Sequence, residues 1–422
     1  MNLMNKNTNI LFVLGVYPSI GGVESVVTNL SNDFTDLGMN VHIASFESNC
    51  SLEVMNLHSK VKILRLSKPV YSKSNRTLLS RYVKDYHVDF VINDWVLPFY
   101  VSMLIKKSIK GTKCKFIQAH QNLPTTNARL KDLEIKMEET NGIHFFDKLR
   151  WQAVNLVSRL SLKYVCNVCD KFVLLSPTFI SQFARYIWTT DISKMYAIPE
   201  TFDSTANGTL PKKNKEVLYL GRLDYNQKRV RRVIDIWSEL EKKYPDWFLT
   251  IVGDGPDMKE LKRRTNEYGL QRVSFEGFQK GDKYFSRAAI MLLVSEYEGF
   301  GIVLAEAQSH ACVPVALDSY TALHDIVENE KNGIILNYPY DKKMFVKAVE
   351  GLMLNEERRE KMAVNGMETV KRFERPKVVN MWIELFNSLN YNKSVGGGNL
   401  NSDITDKCRV HASPSYMERR AA

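Results

Sequence analysis

Ser295-Glu-Tyr-Glu-Gly-Phe-Gly-Ile-Val-Leu-Ala-Glu-Ala-Gln-Ser-His-Ala-Cys-Val-Pro314 follows the apolar run Ile290-Met-Leu-Leu-Val294 and leads into Val313-Pro-Val-Ala-Leu317. Short apolar runs without alternation, bounded by turn residues, fit strands buried on both faces of a parallel sheet. Between them, Gly299 and Gly301 mark a tight turn, and the residues from Ile302 enter a helical pattern. A glycine-bearing turn lets backbone amides approach a ligand without Cβ interference. The helix N-terminus behind it offers unpaired donors and about half a positive charge, which suits phosphate.

Two carboxylates bracket the turn. Glu298 lies just before it and Glu306 about five residues into the helix, roughly 7–8 Å along the axis at ~1.5 Å per residue. Carboxylates beside a phosphate cradle would repel the phosphate, so they fit hydrogen-bond acceptors for hydroxyls on either side of it, a sugar and a ribose. The plainer alternative is a surface turn with two solvated glutamates.

The pattern Ser-x-Tyr-Glu-Gly-Phe-Gly-Ile-Val-Leu-x-Glu-Ala resembles the donor site of the retaining GT-B glycosyltransferases of family 4 (glycosyl transferases group 1), and its extension to Cys312-Val-Pro314 resembles the bacterial surface-polysaccharide members. The resemblance implies that Glu298 contacts the transferred sugar, Glu306 the ribose, and the amides near Gly301, Ile302 and Val303 the diphosphate, with Gly299 and Phe300 also donor-binding. It also implies an α/β fold of two Rossmann-like doubly wound domains facing a central cleft, and transfer from a nucleotide sugar, UDP- or GDP-linked, without a metal or other cofactor.

Upstream, Val217-Leu-Tyr-Leu220 runs directly into Gly221-Arg222, with Lys228 following. A strand-end arginine can clamp a phosphate with its planar fork while lysine adds a point charge. Gly-Arg-Leu…Lys resembles the family's diphosphate-binding pair, and Gly277 and Phe278 match positions expected near the base. Arg222, Lys228, Glu298 and His120 are therefore the expected catalytic residues.

The first half repeats the architecture more weakly. Ile10–Val16 reads as a buried strand after a polar Met1–Asn9, Gly21 and Gly22 open a helix carrying Val23, Val26, Val27, Leu30 and Phe34, and Val41–Phe46 completes a βαβ unit. Gly21-Gly22-x-Glu24 resembles the turn that faces the donor in this family. Further apolar runs at Val61–Leu66, Phe90–Ile92, Phe116–Ala119 and Lys171–Ser176 indicate a doubly wound domain. His120 ends one of them, where the family's N-domain histidine reaches the donor sugar. The mixed apolar and charged stretch 125–168 fits either core-completing helices or an acceptor or membrane contact. Cys166-Asn-Val-Cys169 has metal-ligand spacing but no second pair, and reads as packing.

A chain of 422 residues accommodates two domains. Expected bounds are 1–204 for an acceptor domain, 205–375 for a donor domain, 376–391 for a helix crossing back, and 392–422 for a disordered tail. A net charge of +11 implies an anionic partner. A nucleotide-sugar donor, a glycan or lipid-linked acceptor and a peripheral membrane contact satisfy this; no nucleic-acid module is recognised. Dispersed cysteines without a secretory leader fit a cytoplasmic protein, at most at the inner membrane face. No Asp-x-Asp pair or other metal site is read. The alternative function is a catalytically silent nucleotide-sugar-binding module. One departure stands out: Ala311 occupies a position where the family often has glycine, so a local backbone change is expected there.

Overall fold

Every strand pairs in parallel with its neighbours in the computed structural model, as the unalternating apolar runs require. The structure describes residues 8–19, 21–139, 145–202 and 210–391, in two compact units. The expected tail from 392 lies outside the described residues, as do 203–209 around the expected boundary at 204/205.

The first unit takes residues up to Glu200 and those from Pro376. Its sheet contains β1 (Asn9–Val16), β2 (Asn40–Glu47), β3 (Lys62–Arg65), β4 (Phe90–Asn93), β5 (Lys115–His120), β6 (Lys171–Leu174) and β7 (Met195–Ala197), in the order β3-β2-β1-β4-β5-β6-β7. The three residues of β7 are too few to show a period, and they fall just before the expected boundary at 204/205. Ile10 to Leu14 are buried, and helix Gly22–Asp36 lays Val27, Leu30 and Phe34 over them. Helix Arg375–Tyr391 repeats apolar residues at Val378, Trp382, Leu385 and Leu389, the spacing of one helical face. Its Phe386 meets Phe34 at 5.6 Å and Phe90 at 4.5 Å between ring centroids, so the far end of the chain completes the first core.

The second unit, Thr201–Arg375, contains β8 (Asn214–Leu220), β9 (Phe248–Val252), β10 (Val273–Phe275), β11 (Ala288–Leu293), β12 (Val313–Leu317) and β13 (Ile334–Leu336), in the order β10-β9-β8-β11-β12-β13. Helix Arg231–Leu240 buries Val233, Ile234, Trp237 and Leu240 against this sheet. Ile290 pairs with Val217 on one side and Val313 on the other, so the carboxyl ends of the three strands align and their loops leave from one edge. In both sheets the connections diverge at the first strand, which sits beside the second on one side and the fourth on the other. That reversal opens a crevice at the strand ends, β1/β4 in the first unit and β8/β11 in the second.

Candidate functional site

The loops bordering the β8/β11 crevice carry the residues singled out from sequence. After β8, the chain reaches Arg222 and Lys228; after β11, it passes Glu298 and Gly301 into helix Ile302–Ser309. Lys228 Nζ donates to both carboxylate oxygens of Glu298, at 2.7 and 2.9 Å, and Glu298 is buried. This pair joins residues 70 positions apart across the crevice. The loops are also stitched by main chain: the Glu296 amide donates to the Gln227 carbonyl at 2.8 Å, and Gln227 Nε2 to the Tyr297 carbonyl at 3.3 Å. Arg222 remains largely exposed, with Nη2 donating to Gln227 Oε1 at 3.2 Å and lying 3.5 Å from Asp224.

Backbone geometry shapes the floor of the crevice. The Gly221 amide donates to the Val252 carbonyl, Leu223 to Asp254 and Gly253 to Gly277, so the loops after β8, β9 and β10 continue as a main-chain zipper beyond the sheet. Side chains could not fit: a Cβ on Gly253 would lie 1.9 Å from the Gly221 carbonyl oxygen, and one on Gly255 2.3 Å from that of Leu223. Gly301 caps the helix at φ +80°, ψ +40°, a left-handed conformation that glycine adopts without penalty. The amides of Ile302 and Val303 belong to the first helical turn, which has no carbonyl of its own helix to meet.

Other expected site residues fall differently. The Phe300 ring is buried against Phe373 at 5.2 Å, so any ligand contact there is left to its backbone. Phe278 is 73% exposed. Glu306 sits one turn into helix Ile302–Ser309. At its C-terminus the amides of Ala311 and Cys312 donate to the carbonyls of Gln308 and Ala307, a Schellman closure. Ala311 holds φ +61° within it, so the alanine takes the left-handed conformation there.

Sequence reasoning passed over Glu296, two residues before Glu298 and equally buried. It accepts hydrogen bonds from Arg232 at 2.9 Å and Tyr338 at 2.7 Å, and Arg229 lies 3.6 Å away. Burial alone would raise its carboxyl, but the Tyr338 hydrogen bond and the guanidinium groups of Arg232 and Arg229 outweigh it and hold the pKa below the ordinary value. Glu296 anchors the loop from behind while Glu298 faces Lys228, and the acidic repeat two residues apart was the available signal.

In the first unit, Gly21 precedes helix Gly22–Asp36 in extended conformation, with the Glu24 carboxylate folded back over it, and a Cβ on Gly22 would meet nothing within 4 Å. His120 ends β5; burial pushes its pKa down to about 4, leaving it neutral near pH 7, and its Nε2 is buried without a partner. Asp94, just after β4, was not foreseen. Gln121 donates to its Oδ1 at 2.8 Å while Oδ2 is buried without a partner. Burial, with the nearby Glu24 charge, raises its pKa to about 7 against the lowering effect of Gln121. Among the described residues no group of three or more His, Cys, Asp or Glu side chains could hold a metal ion. Cys166 and Cys169 are buried, their thiols pushed up by burial.

Comparison with known proteins bears on these loops directly. Residues 202–369 match the family described as Glycosyl transferases group 1. The chain is 28% identical over 178 residues to the amylovoran biosynthesis glycosyltransferase AmsD of Erwinia amylovora, covering 42% of this chain and 49% of that protein. Over 381 residues it is 22% identical to a Campylobacter jejuni α-1,4-N-acetyl-D-galactosaminyltransferase named for an undecaprenol diphosphate-linked acceptor, covering 89% and 97% of the two chains. The fold matches that of Anabaena HepE, solved with UDP and glucose, at a TM-score of 0.69 and 16% identity over 90% of this chain and all of that one.

Proposed function

We infer that this chain, whose residues 202–369 match the glycosyl transferases group 1 family and whose two parallel sheets have the GT-B architecture, moves a sugar from a nucleotide-diphosphate donor to an acceptor hydroxyl with retention of configuration. The observation that carries the reading is the Lys228–Glu298 pair across the β8/β11 crevice, beside a glycine-capped helix N-terminus. The chemical difficulty in such a transfer is departure of a diphosphate from a sugar carbon that becomes cationic, so stabilising the leaving charge is the main task.

Arg222 and Lys228 would hold the diphosphate, Arg222 with its exposed fork and Lys228 as a point charge. The amides of Ile302 and Val303 would meet the oxygens on the other side. With phosphate beside Lys228, Glu298 becomes available to accept from sugar hydroxyls, while Glu306 accepts from the ribose. Gly277 and Phe278 would border the base; the exposure of Phe278 leaves its ring open for stacking. On this reading the second unit is the donor domain and the first the acceptor domain, with Gly21, Gly22 and the neutral His120 as its donor-facing residues. The acceptor is a growing glycan on a lipid carrier or lipopolysaccharide core in bacterial surface-polysaccharide assembly, which places the enzyme in the cytoplasm at the inner membrane face.

A thermal-shift panel of UDP, GDP, ADP and their sugar conjugates, in EDTA, tests the donor assignment. A ligand at 100 times its dissociation constant stabilises by about 2.7 kcal/mol, so one nucleotide should raise the transition selectively. A folded protein that responds to no nucleotide would overturn the reading.

A further inference from the structure

Helix Phe145–Val168 is apolar on two opposite faces. At about 100° per residue, Leu162 and Val165 point to the core, where both are buried. The opposite side carries Phe145, Phe146, Leu149, Leu156, Val157 and Leu160, within about 120° of arc. Phe146 is 82% exposed, and each of the others is roughly half exposed or more. Scattered exposed apolar residues are ordinary, but a contiguous stripe of this length marks an interaction site.

The charges along its margins are basic. Lys148 and Arg150 border its first half and Arg159 and Lys163 its second, while Asp147 turns away to pair with Lys136 at 2.8 Å. Trp188, about half exposed, stacks on Arg159 at 3.6 Å and adds an amphipathic ring to the same margin. Helix Tyr100–Ser108 packs beside this one through the Phe99–Tyr164 ring pair at 5.7 Å, and helix Lys73–Asp85 packs beside that. Between those two helices lies an open cavity of about 640 Å³ lined by Arg76, Arg81, Lys84, Lys107 and Lys110, with Asp85 as its one acid. One helical layer of the first unit therefore presents an apolar stripe with basic margins and a basic basin. No helix among the described residues is long and apolar enough to cross a membrane.

We propose that this layer is a peripheral docking surface for an anionic lipid bilayer, with Phe145, Phe146, Leu149, Leu156, Val157 and Leu160 entering the headgroup–acyl boundary and the basic residues meeting lipid phosphates. An apolar helical face with basic flanks is the pattern that lies in the plane of such an interface. Charge selects this occupant over a protein partner: among the described residues named along the stripe and basin, nine Lys or Arg side chains stand against Asp85 and Asp147, the latter already paired with Lys136. The proposal gives a purpose to the membrane-borne acceptor read above, but its test does not depend on the donor assignment.

The full chain is co-sedimented with vesicles of phosphatidylcholine alone and of phosphatidylcholine with phosphatidylglycerol. Binding should require the anionic lipid and weaken with salt. The exposed-residue variant Phe146→Ser/Leu149→Ser/Val157→Ser should lose at least about tenfold in partitioning, and Lys148→Glu/Arg150→Glu a similar factor at about 1 kcal/mol per basic residue removed. Both variants should keep the wild-type melting temperature and any nucleotide-induced rise. A wild type that ignores anionic vesicles while still responding to nucleotide overturns the proposal and leaves the donor reading standing. Unchanged partitioning of the serine variant also overturns it, as does a wild-type dimer in sedimentation velocity that the serine variant dissociates, which would make the face a contact between copies.

Discussion

Gly301→Ala should destabilise the second unit by about 2–5 kcal/mol, the sum of two separable effects. At φ +80° an alanine pays the left-handed penalty of roughly 1–2 kcal/mol. Its Cβ would also lie 2.2 Å from the Tyr320 hydroxyl and 3.1 Å from Cζ of the same ring, and Tyr320 is buried with little room to retreat. Overpacking of this kind costs about 1–3 kcal/mol. At roughly 2–4 °C per kcal/mol for a domain of this size, calorimetry should show the transition falling by about 4–20 °C. In a Tyr320→Phe background the hydroxyl is absent and only the 3.1 Å contact remains. The same glycine substitution should then cost only the backbone part, about 1–2 kcal/mol, and the cycle isolates the clash. Equal costs in both backgrounds, or a cost below about 1 kcal/mol in the first, would refute the geometry argued for this cap.

Arg222→Ala and Lys228→Ala should mainly lower the transfer rate, each by about 10²–10³-fold if they stabilise the leaving diphosphate as preorganised donors do, while Glu306→Ala should mainly weaken nucleotide binding; wild-type kinetics in all three would remove the site assignment. Asp94→Asn should gain stability over the wild type as pH rises. The folded carboxyl titrates near 7, above its usual ~3.9, so its protonated form stabilises the fold below about pH 4 and that contribution is lost as pH climbs through 7. Urea unfolding at pH 4.5 and 8 should show the variant gaining about 3 kcal/mol relative to wild type across that range, at ~1.4 kcal/mol per pKa unit; parallel behaviour would show that Asp94 is ordinary.

The long apolar runs made β1, β2, β8, β11 and β12 readable because a central parallel strand buries both faces and leaves little choice of residue. Strands β7 and β13, of three residues each, offer no period to read. The glycine-bearing turns and the residues of the Lys228–Glu298 pair were legible through motif spacing, but their contact was not: it spans 70 positions and depends on β8 and β11 being neighbours. Glu296 and Asp94 were passed over for a related reason. A carboxylate in a sequence looks solvated by default, and only the fold shows that one is enclosed by Arg229, Arg232 and Tyr338 and the other shut in beneath Gln121. The stretch 125–168 was ambiguous because its apolar residues do not all point one way. Half of helix Phe145–Val168 does complete the core, and the other half faces outward.

The zipper that joins Gly221, Leu223, Gly253 and Gly277 is built from main chain alone. Where carbonyls and amides interlock without side chains between them, there are no rotamers to exchange and no slack to take up. The loops after β8, β9 and β10 must therefore shift as a single plate or stay still. Any accommodation of donors of different bulk is thrown onto the opposite lip, Tyr297 to Gly301, whose hold on the plate runs through hydrogen bonds and one ion pair that a ligand can replace. Altering donor choice by substitution should accordingly succeed on that lip and fail on the plate.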